Sequence, residues 1–107
     1  MPTKSVPIKL TDGKERVLRF DWDALCRFEE EFRYSVIDVG KRLGIGEVSF
    51  LDATRIIWVG LLHEDKPMSF IEVRKLLNLD DFFEYLKAIG EAISEAIPTE
   101  KETAKKV

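Results

Sequence analysis

A chain of 107 residues makes one small domain. Hydrophobic residues make up 45% of it, with seven Phe, which suffices for one modest core and is too much for a disordered chain. Seventeen basic against twenty acidic side chains leave a net charge of −3, which offers a polyanion no whole-chain attraction and argues against nucleic acid as a partner.

The opening MPTKSVPIKL alternates polar and apolar residues and carries no charged-then-apolar leader, so a protein that is not secreted is expected. Val6, Ile8 and Leu10 set one apolar face, TDGKE supplies turn chemistry, and Leu18 and Phe20 resume the alternation, which predicts a β-hairpin. A two-residue turn at Asp12-Gly13 would set Leu10 against Glu15 and Val6 against Arg19. Cross-strand partners share a face, so the expected loop is a longer, odd one that sets Ile8 with Leu18 and Val6 with Phe20.

A lone hairpin is barely stable in water, and helices must cover it. Asp21 caps a predicted helix through Tyr34, with Trp22, Leu25, Phe28 and Phe32 as its apolar stripe. Glu29 to Glu31 cannot converge on one ion, because successive helical residues point about 100° apart. They read as a solvated face, with Glu29 and Arg33 as an i,i+4 pair. Cys26, the one cysteine, can form neither an internal disulfide nor a cysteine-based zinc cluster, and it reads as a small core residue in a reducing compartment. Ser35 to Leu43 predicts a short helix bearing Val36, Ile37, Val39 and Leu43, broken by Gly44-Ile45-Gly46. That G-x-G lacks the third glycine of a dinucleotide loop and the Gly-Lys-Ser/Thr of a phosphate loop.

Ser49 and Asp52 have capping-box spacing and open a helix that is apolar nearly all round, from Phe50 to Leu62, with Asp52, Arg55 and His63 on its polar side. Such a helix is surrounded by other elements, so it is expected at the centre, with Gly60 admitting a close neighbour and Lys66-Pro67 as its end. Its longest apolar run, Ile56 to Leu62, spans roughly 10 Å, a third of a bilayer core, so no membrane crossing is expected. Ser69 and Glu72 form a second capping box before a short helix through Leu77, with Phe70, Val73, Leu76 and Leu77 inward. Asp80 or Asp81 then caps a last helix to Ile97, with Phe82, Leu86, Ile89, Ile93 and Ile97 as its stripe and Tyr85 and Ala96 on the flanks. Phe83 lies off this stripe beside Lys87 and Gly90, and packing on a neighbouring helix is the favoured placement for it. Pro98 stops the helix, and TEKETAKKV reads as a flexible charged tail over 98–107, after a single domain over 1–97.

His63, Glu64 and Asp65 are the most reactive-looking group. Being successive, they face three directions, and a zinc motif H-E-x-x-H would need a histidine where Pro67 stands. Their plain reading is a helix end emerging into water. No nucleophile, base and stabiliser can be nominated together, so no catalytic, metal or cofactor residue is assigned and a non-enzymatic, protein-holding role is expected. A small hydrolase using His63 or Cys26 is the less favoured class.

The stretches IKLTDGKERVLRFDWDALCRFEEEF and SFLDATRIIWVGLLHED carry a resemblance. A hairpin of the form L-x-D-G-K-x-x-x-L-x-F (Leu10 to Phe20), an acidic-aromatic first helix (Trp22 to Phe32), and W-x-G-L-x-H-E-D (Trp58 to Asp65) before Pro67 and the Ser69 to Glu72 helix start resemble the tail assembly chaperones of long-tailed bacteriophages, prophages and gene transfer agents. The likeness covers roughly residues 6 to 97 and is one of packing and turns; after Leu77 only the amphipathic pattern matches. It implies a non-catalytic protein of virion morphogenesis that binds the helical tape measure protein in the host cytoplasm and helps tail tube subunits assemble around it. Such chaperones are often absent from the mature virion, and many have a frameshifted longer form that recruits the tube protein. Self-association is compatible with this role. The alternative is a structural or adaptor subunit of a tail or head completion complex. An α+β fold follows from both lines: an N-terminal β-hairpin packed on a small bundle of about four to five helices. An amphipathic client would use an apolar groove between helices. The candidate partner-binding residues are Phe83, Tyr85 and Lys87 on the last helix, with the charged tail adding a salt-sensitive component.

Overall fold

The computed structural model describes residues 5–97. The predicted tail and Pro98 lie outside them. Two antiparallel strands, β1 (Val6–Lys9) and β2 (Glu15–Leu18), precede five helices: α1 (Trp22–Phe32), α2 (Val36–Gly44), α3 (Phe50–Gly60), α4 (Phe70–Lys75) and α5 (Phe82–Ala96). The expected α+β architecture is the one found.

The hairpin loop covers 10–14, odd as expected, but the register is two residues from the predicted one: Val6 pairs with Leu18 and Ile8 with Arg16. Two local bonds close the loop, Gly13 N–H to the Leu10 carbonyl at 3.0 Å and Lys14 N–H to the Asp12 carboxylate at 3.1 Å. Phe20 is not part of the ladder, because Arg19 N–H donates instead to the Gly60 carbonyl at 2.9 Å and draws the chain away to α3. Parity survives the shift, so Val6, Ile8 and Leu18 still point into the core.

α3 is the central helix. It packs on α1, α4, α5 and β2, and Ile56, Ile57 and Val59 are fully buried. Gly60 does admit a neighbour: a Cβ there would stand 2.8 Å from Leu18 Cδ2 and 3.0 Å from Phe20 Cε1. The helix stops at Gly60, well short of Lys66-Pro67. Gly60 is a weak helix former, and its carbonyl, which a continuing helix would use, is taken by Arg19. Phe50, in the first turn of α3, is 62% exposed and not part of the apolar surface packed inside.

Capping at Asp21, Ser49 and Ser69 forms as expected, except that the Asp52 carboxylate turns to Tyr34 and Arg42 and leaves the Ser49 box incomplete, and Ser35 adds a cap that was not expected. Asp21, Ser35, Ser49 and Ser69 each accept a backbone N–H at a helix start, and the Ser35 and Ser69 boxes are complete. The last helix differs: Asn78 caps a single 3-10 turn, Leu79–Asp81, and Asp81 makes no side-chain cap. α1 ends at Phe32, since Arg33 takes a left-handed conformation (φ 66°), and the ion pair on its surface is Arg27–Glu31 at 3.1 Å rather than Glu29–Arg33.

Two stripes are rotated from their predicted centres. On α1 the buried positions are Ala24 and Phe28, and Trp22, about 140° from the middle of that face, is 83% exposed. On α5 they are Tyr85, Ala88, Ile89 and Ala92, while Phe82, Leu86, Ile93 and Ile97 are half-buried. Small Ala88 and Ala92 let the hairpin and α3 approach, so the helix turns its smallest apolar face inward. Ile37 on α2 is exposed for the same kind of reason, since Val36 and Val39 form the face that packs.

Candidate protein-binding surface

His63 lies beyond α3 in an exposed turn, and its Nε2 is 2.8 Å from the Val17 carbonyl oxygen. The Val17 carbonyl lies on the same edge of β2 as the Arg19 N–H that meets Gly60, away from β1, and since a carbonyl oxygen only accepts, the imidazole donates to it from Nε2. Glu64 accepts from Arg16 Nη1 at 3.2 Å, and Arg16 Nη2 meets Asp12 at 2.6 Å. The His-Glu pair thus staples the turn to the hairpin. Cys26 is half-buried in a hollow of about 310 Å³ with Trp22, Leu25, Val36, Ile37 and Ile97, while His63 lines a different one with Asp21 and Arg27. Among the described residues no group of three His, Cys, Asp or Glu side chains could hold a metal ion.

A polar cluster that sequence reading missed lies between α1, α2 and α3. Asp52, expected on the polar side of α3, is 4% exposed and accepts a short hydrogen bond from the Tyr34 hydroxyl and one from Arg42 Nη1 at 2.7 Å. Burial pushes the Asp52 carboxyl up, but the Tyr34 and Arg42 hydrogen bonds, with the Arg42 charge, outweigh it and leave it below the usual carboxylate range. Arg42 and Arg55 stack on the Tyr34 ring, at 4.9 and 5.7 Å from its centroid. The partners stand 18 and 10 residues from Asp52. No spacing rule could have joined them, and the Ser49 to Asp52 interval hid the aspartate as half of a capping box.

The three candidate partner residues separate. Tyr85 is 4% exposed and its hydroxyl accepts the Asn78 N–H at 3.0 Å, so it belongs to the core side of α5 and leaves the candidate surface. Phe83 is 80% exposed, which overturns the expectation that it packs on a neighbouring helix. Lys87 is exposed one turn further on. Phe83 and Lys87 wall an open groove of about 820 Å³ whose apolar floor includes Leu43 and Leu86. The Phe83 ring continues inward to Phe82 at 5.7 Å and Phe50 at 4.7 Å beyond it, a row of three rings of which two are mostly exposed. An exposed aromatic row beside an apolar groove is a surface suited to an apolar side of a partner.

No family model matches the chain, and no curated protein or solved structure does either. No helix among the described residues is long and apolar enough to cross a membrane.

Proposed function

We propose that this protein is a non-catalytic tail assembly chaperone of the long-tailed phage type. It holds the helical tape measure protein in the host cytoplasm while tail tube protein assembles around it, a longer frameshifted product recruits the tube subunits, and the chaperone is left out of the mature virion. The observation that carries the reading is the 80% exposure of Phe83 on the rim of the α5 groove. What supports it is the setting, an exposed ring that continues into Phe82 and Phe50 and borders an apolar groove, a contiguous patch that a partner's apolar side can cover. The hairpin and helix starts on which the resemblance rests also form, as β1, β2, α1 and α4.

The client fits the groove as an amphipathic helix whose apolar residues enter at i, i+3, i+4 and i+7. Co-expression with the tape measure protein of the same phage, followed by pull-down, tests this. Phe83→Ala should lose at least about tenfold in capture, the worth of one interface anchor. Unchanged capture with intact helicity would remove Phe83 from the surface. Mass spectrometry of purified particles tests the role: presence at fixed copy number would overturn the chaperone reading in favour of a structural or adaptor subunit.

A further inference from the structure

One long side of the α5 groove is acidic. Glu84, Lys87, Glu91 and Glu95 recur at spacings of three, four and four, which sets them in line along one flank of α5, and all four are exposed. Three carboxylates therefore stand with one ammonium. Lys87, Glu91 and Glu95 line the groove itself, and Glu84 joins Asp81 in a second hollow of about 410 Å³ between α5 and β1. None of the ion pairs among the described residues uses Glu84, Lys87 or Glu91.

The cations nearby belong to the hairpin. Lys9 lines the second hollow, and Arg19 Nε meets Ser5 Oγ at 3.3 Å where Ser5 borders the groove. The floor, Leu43 of α2 and Leu86, is apolar. Negative charge is thus gathered on the α5 flank. A helix laid in the groove sets its apolar stripe on Phe83, Leu86 and Leu43 and one polar flank beside Glu84 and Glu91. Carboxylates brought against like charge there would be repelled, and carboxylates brought against opposite charge would hold the helix in one direction and register.

We propose that the groove takes an amphipathic helix whose apolar stripe is bordered, along the α5 flank, by Lys or Arg side chains. This rests on the client reading above and fixes the chemistry of the segment that fills the groove. Glu84 and Glu91 are two turns apart, about 10 Å at about 1.5 Å per residue, so the matching cations on the client stand seven residues apart. Lys87 lies between the two glutamates and repels a third cation midway, where an uncharged or acidic residue fits.

Two synthetic helical peptides with the same leucine stripe, one carrying Lys and the other Glu at the flanking positions, test the sign of the charge. Binding to the full chain is read by fluorescence anisotropy at low salt. The Lys peptide should bind about tenfold more tightly than the Glu peptide, and the difference should shrink as salt rises. Glu84→Lys/Glu91→Lys, with unchanged helicity, should abolish the preference, and Lys87→Glu should sharpen it. Glu29→Lys/Glu30→Lys makes the same change of net charge on an exposed face of α1 and should keep most of it. Failure of both peptides to bind, equal affinity for the two, a preference for the Glu peptide, or an equal loss in the α1 control would overturn the basic flank. Capture of the tape measure protein separates this from the client reading. Capture that needs Phe83 but ignores Glu84→Lys/Glu91→Lys overturns the basic flank alone, and a Lys-peptide preference in a protein whose capture ignores Phe83 overturns the client reading alone.

Discussion

The protein carries two aromatic clusters, and they are finished differently. Around α3, Phe28, Phe32, Tyr34, Trp58 and Phe70 meet mostly edge to face at centroid distances of 5.0 to 6.1 Å. Their outer faces are closed by guanidinium groups, Arg55 over Phe32, Arg42 over Tyr34, Arg27 over Trp58 and Arg74 over Phe70. The row of Phe50, Phe82 and Phe83 has ring contacts as close as 4.7 Å, yet no arginine lies over any of its rings among the described residues. The lesson is that ring stacking alone does not separate a core from a surface. What separates them is whether the remaining faces are covered by atoms of the same chain.

Truncation in the covered cluster should cost most. Phe28 is fully buried between Phe32 and Tyr34, so Phe28→Ala should lower unfolding free energy by about 3–5 kcal/mol in urea titration. A loss below about 1 kcal/mol would show that this cluster does not hold the fold. Asp52→Ala comes next, at about 2 kcal/mol, because it takes the acceptor from the Tyr34 hydroxyl, whose oxygen keeps only the Arg55 Nη1 donor at 3.3 Å, and removes the carboxylate that pairs with Arg42. The Asp52 carboxyl is held below its ordinary value in the folded state. Its contribution is therefore complete above the unfolded value near 3.8 and is lost as pH falls through the folded one. Asp52→Asn should accordingly be less stable at neutral pH and show a shallower loss on acidification, read from Trp58 fluorescence.

Gly60→Ala places a methyl group against Leu18 and Phe20, and overpacking of about 1–3 kcal/mol should exceed the gain of about 1 kcal/mol in helix propensity. A stabilised variant would mean that the hairpin slides on α3. The smallest effect belongs to the uncovered cluster. Phe83→Ala should leave stability within about 0.5 kcal/mol, as a surface substitution, while removing partner capture. A large loss of stability there would erase the difference between the two clusters.

How much was legible divides along the same physical line. Interactions that close within a few residues could be read directly: the Asp21, Ser49 and Ser69 caps, the odd hairpin loop, and the encircled character of α3. The position of Phe83 off its helix stripe was legible too, but its exposure was not, because periodicity says where a side chain points and not whether a neighbour stands there. Tyr85 shows the converse, a flanking residue drawn inward because Ala88 and Ala92 let the helix settle on that side.

The sequence by itself determined which segments become strands and helices and where nearly all of them start, since these choices depend on bonds spanning a few residues and on apolar spacing. Only the tertiary structure decided the register of β2, the end of α3 at Gly60, the rotation of α1 and α5, and the meeting of Tyr34, Arg42 and Asp52. Each of those depends on a bond or contact between residues distant in the chain. Arg19 to Gly60 is the plainest of them: one hydrogen bond that both stops a strand pairing and ends a helix.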